Sequence, residues 1–316
     1  MNFVNEVFNN SYAYGGCDAI ISNGKYKYND LVDDIKNNLY YIEQYRKKGI
    51  DRVGVIVKDG INFNTISIIL TLIKSGVTPI IINERIKENI KGIIEKEDIK
   101  ILFYDNAKKP NYLKKFDVVI NKEPDYFVSV SPYVNVKSEG KLRRLEWYLS
   151  FLNSSKEIEE CVCKLYNLEN GKIKEEIVTK EEIKLQKTEF ESLEHKGKWQ
   201  NTVISSSLSD KNTFLLTATA LASNMSIVCG SNDAEKNILK ILKTKPTVII
   251  IDNNMLLELY TNQKFKNIDL SFLKKVIVNV HEDNIQVLDE LLKNFGFEGD
   301  YLDINNLCTN QKIIQK

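Results

Sequence analysis

The sequence predicts an α/β protein: two similar, mainly parallel sheet subdomains layered with helices. Three observations carry that expectation. Short apolar segments alternate with amphipathic ones, strand–helix–strand–helix–strand, through residues 52–104. The same alternation returns between 160 and 296 after a less regular stretch. The length, 316 residues, suits about two subdomains and buries a core without disulfide or metal staples. The expected division is 1–158, a first α/β subdomain with an irregular end, and 159–316, a second.

The first element is a hairpin, 19–22 and 25–28, around Asn23-Gly24, a dipeptide suited to tight primed turns. A helix follows from Asn29, because Leu31, Ile35, Leu39 and Ile42 recur on one helical face. Asn29 or Asp30 can cap it and Gly49 can end it. Residues 52–57 read as a strand, 61–74 as a helix apolar on most sides and therefore buried, and Gly76 as its stop. A strand at 78–83, a helix at 87–96 and a strand at 99–104 complete the first run.

From 105 to 160 the pattern loosens, with short strands at 118–120 and 127–130. A helix is suggested by Leu142, Leu145, Leu149 and Leu152. Strands at 160–166 and 172–178 then flank Asn170-Gly171, and Thr179 can cap a charged helix through Leu193. The remaining elements are strands at 202–206, 226–229, 247–251 and 274–280, and helices at 214–222, 234–242 and 284–294. No short-period repeat is visible, so a solenoid is not expected.

Composition narrows function mainly by exclusion. Lys plus Arg (44) nearly balances Asp plus Glu (43), a net charge of +1, which argues against a nucleic-acid binder working by bulk charge. The basic cluster Lys141, Arg143 and Arg144 beside Trp147 and Tyr148 reads as a solvated face over packed aromatics. Residues 66–82 are broken by Lys74, Gly76 and Pro79 and do not suit a bilayer. The five cysteines, at 17, 161, 163, 229 and 308, are irregularly spaced. With no basic, apolar leader at the N-terminus, they read as reduced thiols in a cytoplasmic protein. Cys161 and Cys163 share a strand face without further metal ligands, so no metal site is expected. His195 and His281 suit surface or structural roles. Ser205–Ser207 lacks the G-x-S-x-G turn of a nucleophile.

The order of these elements resembles the N-terminal domain of the adenylate-forming superfamily. That superfamily includes acyl-CoA synthetases, nonribosomal peptide adenylation domains and D-alanine carrier-protein ligases. "AIISNGKYKYNDL", "KKGIDRVGVIVKDG", "LTLIKSGVTPIIIN" and "ILKILKTKPTVIIID" carry the likeness, which extends over most of residues 15–312 as order and spacing. These are scaffold segments. The resemblance implies a reaction in which a carboxylate attacks the α-phosphate of Mg-ATP to give an acyl-adenylate. A hydroxyl- and glycine-rich loop would then handle the phosphates.

Here the family's motifs depart from pattern. A loop of form TSGTTGKPKG falls on residues 166–175, where only Gly171, Lys172 and Lys174 match and Glu169 adds a negative charge. The Gly-Gly turn falls near Asn279-Val280. The Tyr-Gly-x-Thr-Glu motif falls on 306–310, where Thr309 matches and Asn310 replaces the magnesium-holding Glu. The family's pocket-closing aromatic or His would lie near Ser207–Asp210, and none is there. A C-terminal lid domain with its catalytic Lys is expected to be absent.

The sequence therefore implies a degenerate, pseudo-adenylation homologue, a ligand- or partner-binding module without unaided acid activation. No catalytic residue and no cofactor are expected. Gly171, Lys172, Lys174, Thr309 and Asn310 are the remnant nucleotide-binding candidates. At 167–174 two readings stay open: anion binding through the lysines, or a plain Asn-Gly turn with solvated lysines. The alternative function is an ATP- and Mg-dependent carboxylate-activating ligase whose C-terminal domain comes from another chain. Expected partners are a small carboxylic acid, or a synthetase or carrier protein, with neither nucleic acid nor membrane.

Overall fold

A helix absent from the sequence expectation opens the chain: α1, Phe3–Tyr14, whose Phe3, Val4, Val7 and Phe8 form one buried stripe. The computed structural model describes residues 3–104, 126–129, 161–192, 201–279 and 285–303, apart from 23, 48, 59–60, 88, 170, 205–206, 231–232 and 298–299. The expected strand at 118–120 and the helix suggested by the leucines at 142–152 lie outside those residues.

After α1 come the hairpin β1 (Asp18–Ile21) and β2 (Lys25–Lys27), then α2 (Tyr28–Lys47). Leu31, Ile35, Leu39 and Ile42 are all buried, as their spacing requires. Next are β3 (Arg52–Val57), α3 (Phe63–Lys74) and β4 (Thr78–Asn83). The 3-10 turn Glu84–Ile86 precedes α4, which spans Ile90–Lys96 and so begins later than the expected Lys87. The strands β5 (Ile101–Tyr104) and β6 (Tyr126–Ser129) follow.

A long hairpin comes next, β7 (Cys161–Glu169) and β8 (Lys172–Thr179), followed by α5 (Lys180–Ser192), β9 (Asn201–Ile204) and α6 (Lys211–Ala222). The last elements are β10 (Ser226–Cys229), α7 (Ala234–Thr244), β11 (Val248–Asp252), α8 (Asn253–Thr261), β12 (Lys275–Asn279), α9 (Ile285–Asn294) and β13 (Asp300–Asp303). Neither α8 nor β13 was expected.

The strands form a seven-stranded sheet, order β13-β12-β11-β9-β10-β1-β2, and a six-stranded sheet, order β6-β5-β3-β4-β7-β8. Each is parallel except for one antiparallel edge strand, β2 or β8. The sheets do not divide at residue 158. The hairpin β1–β2 lies in the sheet built mostly from the C-terminal part, and β7–β8 lies in the other. The apolar pattern sets which face a strand buries but does not say which sheet it joins.

The side chains assign the layers. One core cluster holds β3 (Val53, Val55), β7 (Cys163, Leu165) and β10 (Ile227, Cys229) together with α1, α2, α3 and α6, so these helices lie between the sheets. A second covers the outer face of the seven-stranded sheet with α7, α8 and α9. A third covers the outer face of the six-stranded sheet with α4. Alternate residues thus face opposite layers: Val55 inward, Ile56 outward.

α6 has no solvent face from Thr213 to Ala222. The carbonyls at its C-terminal end and just beyond it take bonds from elsewhere. The Tyr28 hydroxyl donates to Leu221 O and Met225 O, both at 3.0 Å, and Asn10 Nδ2 donates to Leu221 O and Ala222 O at 3.0 Å. Burial pushes the Tyr28 phenol well above its usual range, so it remains a donor. Among the described residues no helix is long and apolar enough to cross a membrane.

Candidate functional site

In open α/β sheets ligands bind beyond the carboxyl ends of the parallel strands. There β4 ends at Asn83, β7 runs through Asn167, and the turn before α6 brings in Ser207 and Ser209. The Asn83 amide does two things. Its Oδ1 accepts the Arg85 N–H at 2.9 Å, shaping the 3-10 turn. Its Nδ2 donates to Asn167 Oδ1 at 3.1 Å and to Ser209 Oγ at 2.9 Å. Ser209 and Ser207 share a hydrogen bond at 2.9 Å, and Ser207 Oγ donates to the Lys58 carbonyl at 3.3 Å. Asn83, Ser207 and Ser209 are buried, so these polar groups need one another. The cluster is uncharged. The Asn83 amide and both hydroxyls are engaged within the cluster, whereas half-buried Asn167 contributes only its Oδ1 to it.

The neighbouring hairpin carries three candidates named from the sequence. Tyr166 opposes Glu175, Asn167 opposes Lys174, Leu168 opposes Ile173 and Glu169 opposes Lys172. Gly171, where the chain turns into the second strand, has φ +75°, which favours glycine. Residues 166–169 and 172–175 of the segment matched to a phosphate loop are therefore extended strands. In an extended strand successive peptide groups point opposite ways, so their N–H groups do not converge on an anion as those of a nest do. Asn167 Oδ1 also takes the Leu168 N–H at 2.9 Å.

Lys172 is exposed. Lys174 Nζ lies 3.0 Å from Glu169 and 3.4 Å from Glu176, and the Glu169 hydrogen bond raises its pKa. Its charge is already balanced. Thr309 and Asn310 lie outside the described residues, as do His195 and His281. The structure thus brings Gly171, Lys172 and Lys174 to one hairpin tip. Cys163 is buried, and burial pushes its thiol well up. Cys161 is partly exposed, and both are free thiols. Among the described residues no three or more His, Cys, Asp or Glu side chains gather as a metal site would require.

Glu97, which the sequence reading did not single out, anchors the outer side of this hairpin. Only 1% of its side chain is exposed. It accepts from Tyr166 Oη at 2.7 Å, from Lys164 Nζ at 2.9 and 3.0 Å, and from Arg52 at 3.3 Å. Burial alone pushes its carboxyl up. The Tyr166 and Lys164 hydrogen bonds, with the Lys164 and Arg52 charges, outweigh that and hold it below the usual range. Burial and the Glu97 bond push the Tyr166 phenol up. A signal was present: Ile90, Ile93 and Glu97 lie on one helical stripe, which places a carboxylate where an apolar residue belongs.

No family sequence model and no curated protein matches the chain. Solved structures do match its architecture. The long-chain-fatty-acid-CoA ligase FadD1 of Archaeoglobus fulgidus superposes with a TM-score of 0.67 at 15% identity, over 96% of this chain and 63% of the ligase. The N-terminal domain of FACL13 from Mycobacterium tuberculosis gives 0.67 at 10% identity, over 98% of this chain and 77% of that one. The chain has the fold of an adenylate-forming enzyme's N-terminal domain. The o-succinylbenzoate CoA synthetase MenE of Bacillus subtilis, solved with an acyl-adenylate intermediate, gives 0.68 at 11% identity, over 96% of this chain and 75% of MenE. At these identities the likeness is one of fold.

Proposed function

We propose that the protein is a ligand- or partner-binding module on the adenylate-forming scaffold, without unaided ATP-dependent acid activation. The observation that supports this is the ladder through residues 166–175. Its N–H groups diverge, Asn167 consumes one of them, and Glu169 and Glu176 already hold Lys174. Those residues do not fit a magnesium triphosphate. The ligand class is a small carboxylic acid and the partner class a synthetase or carrier protein. The N-terminal subdomain of Klebsiella oxytoca NpsA was solved with 3-hydroxyanthranilyl-AMSN, which supports ligand binding by this portion of the fold. The free thiols of Cys17, Cys161, Cys163 and Cys229 suit the cytoplasm.

Isothermal titration with Mg-ATP tests the reading. No heat of binding is expected, and micromolar affinity would overturn it. The MenE likeness, to an enzyme solved with an acyl-adenylate, favours a second reading: a carboxylate-activating ligase completed by a C-terminal domain from another chain. Pyrophosphate exchange with candidate acids, in the presence of such a domain, separates the two. Exchange above background would establish the second.

A further inference from the structure

β8 ends the six-stranded sheet, and among the described residues no strand pairs with its outer side. An exposed edge of eight residues is a template for another strand. Charged residues on an edge ordinarily guard against such pairing, so composition alone favours a monomer. The order of the residues says otherwise. Glu175 opposes Tyr166 and bonds Lys96 of α4, which puts Ile173, Glu175 and Ile177 on the α4 face. Lys172, Lys174 and Glu176 take the other. Ile173 and Ile177 are 38% and 44% exposed, large apolar residues left partly open to solvent.

Consider a second copy laid antiparallel against β8, with the two-fold axis through Glu175 and perpendicular to the sheet. Residues equally distant from Glu175 then oppose each other on the same face. Ile173 meets Ile177 of the partner subunit, and Lys174, exchanging an exposed contact with Glu176 of its own chain, meets Glu176 of the partner subunit, each twice by symmetry. Glu175 meets Glu175 of the partner subunit, a repulsion offset by the Lys96 amine on each carboxylate. Moving the axis to Lys174 sets lysine on lysine and Ile173 on a glutamate. Moving it to Glu176 sets glutamate on glutamate and Ile177 on Glu175. Of these three registers, only the one centred on Glu175 sets isoleucine on isoleucine and lysine on glutamate, and it leaves Lys172 against Val178 of the partner subunit.

We propose that β8 is a homodimer edge, two copies pairing antiparallel about Glu175 so that their six-stranded sheets become continuous. One edge buries less than the roughly 800 Å² per partner of a standard interface, so the dimer is a weak one whose population rises with concentration. Sedimentation equilibrium of the full chain tests it. A monomer–dimer equilibrium is expected, with Kd weakened about tenfold or more by Ile177→Lys. Lys174→Glu weakens it too, and adding Glu176→Lys to that variant restores it.

Cysteine crosslinking reads the register directly. Opposed Cα atoms lie about 4.5–5.5 Å apart, within disulfide reach. Glu175→Cys alone forms an intermolecular disulfide, and Ile173→Cys alone does not, with the unsubstituted chain as the control for native thiols. A monomer at every concentration, or a dimer that ignores Ile177→Lys and lacks the Glu175→Cys crosslink, overturns the proposal.

Discussion

Glu97 shows how one buried charge ties a helix to two strands, because Arg52 lies on β3 and Lys164 and Tyr166 lie on β7. Glu97→Gln leaves Lys164 with a weaker partner. Its ammonium retains some solvent, so the loss falls at the lower end of the roughly 3–5 kcal/mol for breaking a buried pair. The pH dependence has a definite sign. The folded carboxyl is held below its usual value, so its contribution is fully present above the unfolded value, about 4.3, and is lost as pH falls through the lower folded value. Urea midpoints taken from neutral to acid pH should therefore fall more steeply for the wild type than for Glu97→Gln. Parallel curves would remove Glu97 from the account. Tyr28 makes the matching neutral case. Tyr28→Phe takes the donor from two carbonyls and should cost about 1–3 kcal/mol in chemical denaturation with the far-ultraviolet spectrum unchanged.

Among elements, the β7–β8 hairpin depends on its turn. A Cβ at Gly171 would meet nothing within 4 Å, so Gly171→Ala tests backbone conformation alone. With φ at +75° it should cost about 1–2 kcal/mol, measured by thermal unfolding. The Asn170-Gly171 dipeptide announced this turn, and the stripe of Leu31, Ile35, Leu39 and Ile42 announced α2, because local rules decide both. α1 went unseen although Phe3, Val4, Val7 and Phe8 carry a helical spacing, since its Asn, Ser and Tyr residues are indifferent helix formers. The polar junction was less legible still. Asn83, Asn167 and Ser209 are far apart in sequence, and only the fold makes them neighbours. At the hairpin the motif comparison aligned residues 166–175 with a loop, whereas the structure pairs them as strands, a long-range feature that no local pattern reports.

For the whole molecule, the exchange of hairpins between sheets bears on how the chain folds. Cutting at residue 158 would remove β7 and β8 from the sheet they complete and strand β1 and β2 away from β10. Fragments 1–158 and 159–316 should each lack a sharp unfolding transition. A cooperative melt for either alone would show independent halves. At the centre of the layers stands α6, wrapped by protein along Thr213–Ala222, with Thr217 bonding back to Thr213 O at 2.7 Å. Water can reach such a strut only when the surrounding layers come apart. Its amides should accordingly be the last to take up deuterium, at a rate that reports the opening of the entire protein.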